Sequence, residues 1–168
     1  MDHVVTEKIG QNSMKILVKN RKFIEELISL CEKEINNFNF ISIYSKNSFS
    51  PLPNQNNILK LEFDDVSEQN IEGFPFKTSL LWFSEKQAVE IFDFVNKIDC
   101  SKLLCVHCDA GISRSGAVGM ILNDYFNRFK DDNKEDFKYF NTNNPHIMPN
   151  PRVVRLMKSV FFGCPNAF

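Results

Sequence analysis

Short apolar runs alternate with amphipathic stretches along this chain of 168 residues. Residues 40–44 are rich in β-branched and aromatic side chains and predict one strand. Residues 58–63 alternate between apolar and polar positions and predict a second. A third compact apolar run, residues 102–106, is typical of a buried strand. A shorter run at residues 14–18 ends just before Asn20, a residue type that suits the N-cap of a helix.

Apolar residues at helical spacing predict four helices. The first follows Asn20, and its predicted apolar face consists of Phe23, Leu27, Cys31 and Ile35. The second opens at Ser84, where Gln87 completes a capping-box pattern. The third should begin near residue 114 and continue to about residue 129. The last begins where Pro151 follows Asn150, and its apolar positions are 153, 154, 157, 160 and 161.

The alternation of strands and helices predicts an α/β fold. We expect a single domain spanning residues 1–168, with a central mixed, mostly parallel sheet flanked by helices, because this length suits one core. Residues 46–57, with two Pro and four Asn, are predicted to form a loop. The charge run from Asp131 to Asp136 is predicted to be a solvated connector.

Composition narrows the classes of function. The net charge of −1 and the pI near 6.3 give no global basic field, so neither nucleic acid nor a membrane surface is an expected partner. Five Cys at irregular spacings make a poor disulfide framework, and residues 1–10 do not resemble a secretory signal. We therefore expect a cytoplasmic protein.

The strongest chemical signal is the segment His-Cys-Asp-Ala-Gly-Ile-Ser-Arg-Ser at residues 107–115, which joins the third predicted strand to a helix. Unpaired backbone N–H groups at a helix N-terminus form an anion site, and Gly111 eases a close backbone approach. Arg114 can hold two phosphoryl oxygens in a fork. Those donors would also stabilise a thiolate at Cys108, which predicts a nucleophile at the floor of a phosphate cradle.

A phosphate ester also needs a proton for its leaving oxygen. Asp64 and Asp65 both follow the strand at residues 58–63 and are the candidate acids. His107 precedes the nucleophile at the end of a strand, so its side chain should point away from the cradle and brace the loop. Ser115 can donate a hydrogen bond to the sulfur.

These residues resemble a known family. His107-Cys108-x5-Arg114-Ser115 is similar to the CX5R signature loop of the cysteine-dependent protein tyrosine phosphatase superfamily, and the longer string resembles its compact dual-specificity-like members, including short bacterial and viral ones. Residues 61–66 resemble the strand and turn that carry the family's general acid, and Asp65 matches it better than Asp64. Pro149 and Asn150 resemble a pair that lies near the signature loop in this group. The resemblance covers residues 58 to about 160.

The resemblance implies a protein tyrosine or dual-specificity phosphatase, a hydrolase with a phosphocysteine intermediate. Cys108 would be the nucleophile, Arg114 the phosphate ligand and Asp65 the general acid, with Ser115 and His107 in support. The substrate-binding residues would be Asp109, Ala110, Gly111, Ile112 and Ser113, together with Arg114. No cofactor or metal is expected. A phosphorylated protein is the expected partner, and a monomer is the expected state.

Other functions fit parts of the sequence. Phosphatases of phosphoinositides or RNA 5′ ends favour Lys-rich loops, whereas this loop has Asp109 and no Lys. A sulfurtransferase or an arsenate reductase would not require Asp65. A catalytically dead phosphate-binding module would not require the full set of Cys, Arg, Ser and Asp. Zinc at Cys105, His107 and Cys108 would need a fourth ligand, and adjacent strand residues point to opposite faces.

Overall fold

The computed structural model describes residues 13–128 and 134–163. Four strands form its central sheet, in the order β1 (Ile16–Asn20), β4 (Leu103–Cys108), β2 (Phe38–Tyr44) and β3 (Ile58–Glu62). The predicted α/β class with a mostly parallel sheet is confirmed, and all three pairings between these strands are parallel. Parallel pairing brings the carboxyl ends of all four strands to one edge. The predicted absence of a signal at residues 1–10 concerns a segment outside the described residues.

In the described part of the chain five α-helices accompany the sheet: α1 (Arg21–Leu30), α2 (Glu85–Val95), α3 (Arg114–Asn123), α4 (Lys134–Asn143) and α5 (Pro151–Phe162). Four of them begin where their sequences predict, and three of those four have the predicted N-caps. The Asn20 side chain accepts a hydrogen bond from the Phe23 amide, and Ser84 forms a reciprocal capping box with Gln87. Asn150 caps α5 directly before its first-turn proline. No helix of the described residues combines the length and apolar character that spanning a bilayer demands.

The first helix is shorter than predicted. It ends at Leu30, and a 3₁₀ turn at Glu32–Asn37 follows it. An apolar stripe with a spacing of four drifts by about 40° per step around a helix of 3.6 residues per turn, so one straight helix would turn Ile35 away from the sheet. The break at the exposed Cys31 returns Ile35 to the core. Ile24 is the buried residue of α1, whereas Phe23 is 38% exposed.

The fourth helix was not predicted, and the connector predicted from Asp131 to Asp136 is wrong where α4 begins, at Lys134. The first part of that run, residues 131–133, lies outside the described residues. Phe140 is the one buried residue within α4, so its hydrophobic period was too weak to indicate a helix.

The third helix also differs from its prediction. Regular α-helix ends at Asn123 and a π-helical turn at Asp124–Arg128 follows, while residue 129 lies outside the described range. The turn brings the side chain of Asn127 against the edge strand, where its amide exchanges two hydrogen bonds with the backbone of Met14. Asn144, just after α4, accepts from the amide of Val18 at 2.7 Å. Two buried side-chain amides therefore satisfy backbone groups in and just before β1, on the side that no described strand occupies.

The core lies on both faces of the sheet. On one face α1 and the 3₁₀ turn cover a small cluster around Phe40 and Cys105. On the other face the remaining helices cover a larger cluster, which includes Val106 and Cys108. Alternate residues of β4 therefore serve opposite faces, and Cys108 lies on the face that α3 covers.

Candidate active site

The segment between β4 and α3 is a tight turn at the carboxyl edge of the sheet. Gly111 lies in its middle with a φ of 70°, in the left-handed region that disfavours a side chain. A Cβ at this position would lie 2.6 Å from the amide nitrogen of Asn20 and 2.6 Å from the carbonyl carbon of Lys19. Glycine is required here for both its conformation and its size, because the loop packs directly on the end of β1.

The carbonyl groups of this loop are bonded from outside. Asp109 O accepts from the Arg21 amide at 3.2 Å. Gly111 O accepts from the His146 ring nitrogen Nε2 at 3.1 Å. The next two carbonyls, of residues 112 and 113, accept from the amides of Met148 and Asn150, each at 3.1 Å. The segment 146–150 thus lines the outer side of the loop and fixes three consecutive carbonyls.

This outer bonding sets the direction of the amide hydrogens. In a planar trans peptide the N–H points opposite to the C=O, so carbonyls 109, 111, 112 and 113 turn the amides of residues 110, 112, 113 and 114 inward. The amide of Gly111 also points inward, since it donates to the Cys108 sulfur at 3.2 Å. Within the described residues, the amides of Ala110, Ile112 and Ser113 have no protein acceptor. By this argument the five successive amides of residues 110–114 are directed to the space inside the loop, an arrangement that suits an oxyanion.

Cys108 lies at the base of this hollow. Its side chain is 2% exposed, and its sulfur lies 3.1 Å from the hydroxyl of the buried Ser115. The Ser115 hydroxyl and the Gly111 amide can both donate to a sulfur anion. The first turn of α3, whose N-terminus carries a partial positive charge, begins at Arg114 beside it. The predicted nucleophile thus lies beside two hydrogen-bond donors and the first turn of α3.

Arg114 is buried and held by its far end. Its Nη1 donates to the hydroxyl of Ser45 at 2.8 Å and to the carbonyl of Phe63 at 2.9 Å. Its Nη2 donates to Asp109 at 2.7 Å. Its Nε is buried without a hydrogen-bond partner in the described part of the chain. Nη1 is therefore used for positioning, and the edge formed by Nε and Nη2 keeps a free donor for a ligand.

The two candidate acids have different surroundings. Asp64 accepts from the amides of Lys46 and Leu81 through its two carboxylate oxygens and so joins two loops. Asp65 accepts through Oδ1 alone, from the Ser113 hydroxyl at 2.7 Å and from the Asn150 side chain at 2.8 Å. Its Oδ2 has no hydrogen bond to any described residue. The structure thus brings Asp65, and not Asp64, to the signature loop.

His107 lies on the opposite face of β4 from Cys108. Its Nε2 lies 2.7 Å from the hydroxyl of Ser42 on β2, which in turn lies 2.6 Å from the hydroxyl of Ser50. Burial lowers the pKa of His107 to about 4, so the ring is neutral at physiological pH. This side chain connects the base of the loop to β2 and to the loop after β2.

Sequence reasoning missed two contributors to the site. Ser45 follows β2 directly and contacts both Arg114 and Asp109. The signal was available, because the carboxyl ends of parallel strands meet at one edge. The second is His146, which bonds the Gly111 carbonyl, and no sequence pattern predicted that contact.

The zinc alternative has no support in the geometry. His107 is directed to Ser42, while Cys108 is on the other face beside Ser115. Among the residues that the structure describes, no three His, Cys, Asp or Glu side chains are grouped as metal ligands.

Several solved structures resemble this chain. OH1 from the Orf virus, a tyrosine phosphatase with triple substrate specificity, is 12% identical, with a TM-score of 0.50 over 94% of this chain and 94% of its own. Tk-PTP in its active form is 13% identical over 93% of this chain and 95% of its own, with a TM-score of 0.49. Human DUSP28 is 13% identical over 90% and 97%, with a TM-score of 0.48. No protein-family model and no curated protein matches the sequence.

At this level of identity the likeness to OH1 shows the fold alone. The chain has the fold of a tyrosine phosphatase, with a parallel four-stranded sheet and helices on both faces. The resemblance first drawn from the signature loop is therefore confirmed at the level of the fold.

Proposed function

We propose that this protein is a phosphomonoester hydrolase that acts through a phosphocysteine intermediate. The observation that carries the proposal is the Gly111 amide, which donates to the Cys108 sulfur, within a loop whose carbonyls are bonded outward so that amides 110 and 112–114 are free to face inward. A ring of N–H donors at a helix N-terminus suits a phosphoryl group, whose oxygens carry negative charge. The free Nε of Arg114 would complete the ring with a charged donor.

The first half of the reaction transfers the phosphoryl group to sulfur. The Cys108 thiolate attacks phosphorus, a new S–P bond forms, and the bond from phosphorus to the leaving oxygen breaks. Asp65 gives that oxygen a proton. The proton would reside on Oδ2, because Oδ1 already accepts from Ser113 and Asn150. A tyrosine leaving group needs this help, since its phenol has a pKa near ~10.

The second half hydrolyses the intermediate. Asp65, now a carboxylate, takes a proton from water, and the water oxygen attacks phosphorus as the S–P bond breaks. The sulfur leaves as a thiolate, which the Ser115 hydroxyl and the Gly111 amide stabilise. Inorganic phosphate leaves, and the enzyme returns to its starting state without any outside reagent.

We further propose that the substrate is a phosphorylated protein, with phosphotyrosine among its targets. Ile112 and Met148 lie on the outer side of the site, 37% and 74% exposed, and the backbone of Met148 bonds that of Ile112. Exposed apolar side chains beside the loop suit an aromatic ring or a peptide more than a highly charged small molecule. The loop also lacks the lysines that polyanionic substrates favour.

The test is turnover of a phosphopeptide panel by the wild type and by Cys108→Ser, with Cys31→Ser, an exposed cysteine, as the matched control. We expect Cys108→Ser to bind phosphopeptide but to release no phosphate, and Cys31→Ser to keep its activity. Mass spectrometry of acid-quenched wild type should show one phosphoryl group on Cys108. Vanadate should inhibit as a transition-state mimic. Release of phosphate by Cys108→Ser at the wild-type rate would refute the proposal.

A further inference from the structure

An acidic side chain lies on the phosphate-binding arginine. Oδ2 of Asp109 accepts from Arg114 Nη2 at 2.7 Å and from the hydroxyl of Ser45 at 3.2 Å. The Arg114 side chain is 6% exposed and that of Asp109 is 44% exposed. The cation is therefore deep in the site, and the carboxylate lies between it and solvent.

Two neighbouring cations are directed to other partners. Arg21 pairs with Glu25 at 2.7 Å and donates to the Phe49 carbonyl, while Lys46 Nζ keeps its charge and donates to the Ser79 carbonyl at 2.8 Å. His107 is neutral and on the other face of β4. The pair of Arg114 and Asp109 has no net charge, so the outer part of the site attracts anions less than a lone arginine would.

The geometry points to Asp109 as a specificity-determining residue that selects against substrates with further negative charge beside the reacting phosphoryl group. The inference rests on the proposed function and names its substrate class: phosphoesters on protein segments with neutral or basic surroundings. The phosphoryl group itself enters the ring of amides, where several donors offset its charge. Groups attached to the leaving oxygen lie outside that ring, near the half-exposed carboxylate of Asp109. Any negative charge on those groups is repelled by this carboxylate.

The expected size of the effect follows from Coulomb's law. Two like charges about 8 Å apart, at effective dielectric constants between those of a protein surface and water, change an equilibrium roughly three- to thirtyfold. We expect each acidic residue next to the phosphorylated one to lower kcat/KM about fivefold in the wild type.

The experiment compares phosphotyrosine peptides that differ only in neutral or acidic flanking residues. The variant is Asp109→Asn, whose amide oxygen can still accept from Arg114. The control is Asp93→Asn, which removes an exposed carboxylate near the end of α2 that lies far from the site. We expect the neutral-to-acidic ratio of kcat/KM to fall to within about twofold in Asp109→Asn and to stay at the wild-type value in Asp93→Asn.

Two further readouts keep the outcomes separate. Calorimetric binding of both peptides to Cys108→Ser, with and without Asp109→Asn, tests selection without turnover. In the wild type, the neutral-to-acidic ratio of kcat/KM should also fall as the salt concentration rises from roughly 0.01 M to 1 M, because the screening length falls from about 30 Å to about 3 Å. If Asp109→Asn still bound peptide but kept the wild-type ratio between the neutral and the acidic peptide, the role of Asp109 would be overturned while the proposed function would stand. If no protein bound or cleaved any peptide, the proposed function would fail as well. Preference for a soluble inositol bisphosphate over the neutral peptide would also overturn the inference.

Discussion

The loop after β4 and the segment after β3 are joined by hydrogen bonds from Ser113 to Asp65 and from Arg114 to Phe63, yet they are built in different ways. The loop at 108–114 is bonded outward through four carbonyls and packs on the end of β1. The segment at 65–80 projects from the sheet, and its ends are joined where Asp64 bonds Leu81. Its middle is mostly exposed, and Phe76 is 75% exposed.

The difference separates two requirements of the proposed reaction. Binding and attack need several donors fixed at once, and a loop held from outside supplies them without rearrangement. Proton transfer needs one group at the right place, and two hydrogen bonds to Oδ1 of Asp65 suffice for that. We expect changes in the loop to disrupt the whole site, and changes in the projecting segment to affect the proton step alone.

The largest expected effect concerns that proton step. Asp65→Asn should lower kcat/KM for phosphotyrosine by roughly 10²–10⁴-fold and much less for an aryl phosphate with an acidic leaving group. Steady-state kinetics on the two substrates measures the difference. Asp64→Asn is the control, because Asp64 bonds backbone amides of two loops; it should lose about 1–2 kcal/mol of stability with no dependence on the leaving group. Equal losses on both substrates for Asp65→Asn would reject its role as the acid.

A pair of glycine substitutions tests the contrast directly. Gly111→Ala places a Cβ against the backbone of Lys19 and Asn20 at positive φ, and should lower the free energy of unfolding by roughly 2–4 kcal/mol and abolish phosphate binding. Gly73→Ala, in the projecting segment, meets no atom within 4 Å and should change stability by less than about 1 kcal/mol. Denaturant unfolding and phosphate calorimetry measure both. Similar results for the two variants would remove the contrast between the regions.

The base of the loop is open to a test by pH. The pKa of His107 falls to about 4 in the folded state, against 6.5 ordinarily, because burial disfavours the charged ring. Between these values the unfolded chain binds a proton that the folded chain does not, so stability is lost as pH falls. By pH 4 the loss should reach about 3 kcal/mol. In His107→Gln this part of the pH dependence of stability should vanish. Denaturant unfolding at pH 7 and pH 4.5 measures it, and a loss of stability as large as that of the wild type would contradict the role of His107.

The smallest expected effect concerns the residue that joins the two regions. Asn150 caps α5 through its side-chain oxygen and donates to Asp65 through its side-chain nitrogen. Asn150→Ala should lose about 1–2 kcal/mol of stability and part of the leaving-group effect. Asn150→Ser keeps an oxygen for the cap, so it should recover stability more than activity. Thermal unfolding and kinetics, measured together, separate the two roles, and full recovery of both in the serine variant would argue against the link to Asp65.

The sequence predicted those parts of the site whose chemistry is local. The strand, the turn and the helix that form the loop are contiguous, so their residue types and spacing were sufficient. Asn150 was also predictable, because a cap and a proline occur together there. Ser45 and His146 depend on contacts between segments distant in the chain, and neither residue type is unusual for a surface loop.

The fold was predictable wherever an apolar period was strong. It was missed in α4, where Phe140 is the one buried residue and the tertiary contacts of a polar helix decide its structure. The break at Cys31 was missed for a related reason: a stripe with a spacing of four can belong to one helix or to two shorter ones, and only packing against the sheet distinguishes them.

The side-chain amides of Asn127 and Asn144, which bond backbone groups in and just before β1, also affect the tendency of this protein to self-associate. An exposed strand at the side of a sheet can recruit a strand from another molecule, which starts aggregation. Here two side chains bond the backbone of Met14 and Val18 as a neighbouring strand would, on a side where the described residues place no strand. Replacing both Asn127 and Asn144 by leucine would leave the backbone groups of Met14 and Val18 unpaired. Strands of other copies could then pair with β1, and the protein would be prone to aggregate.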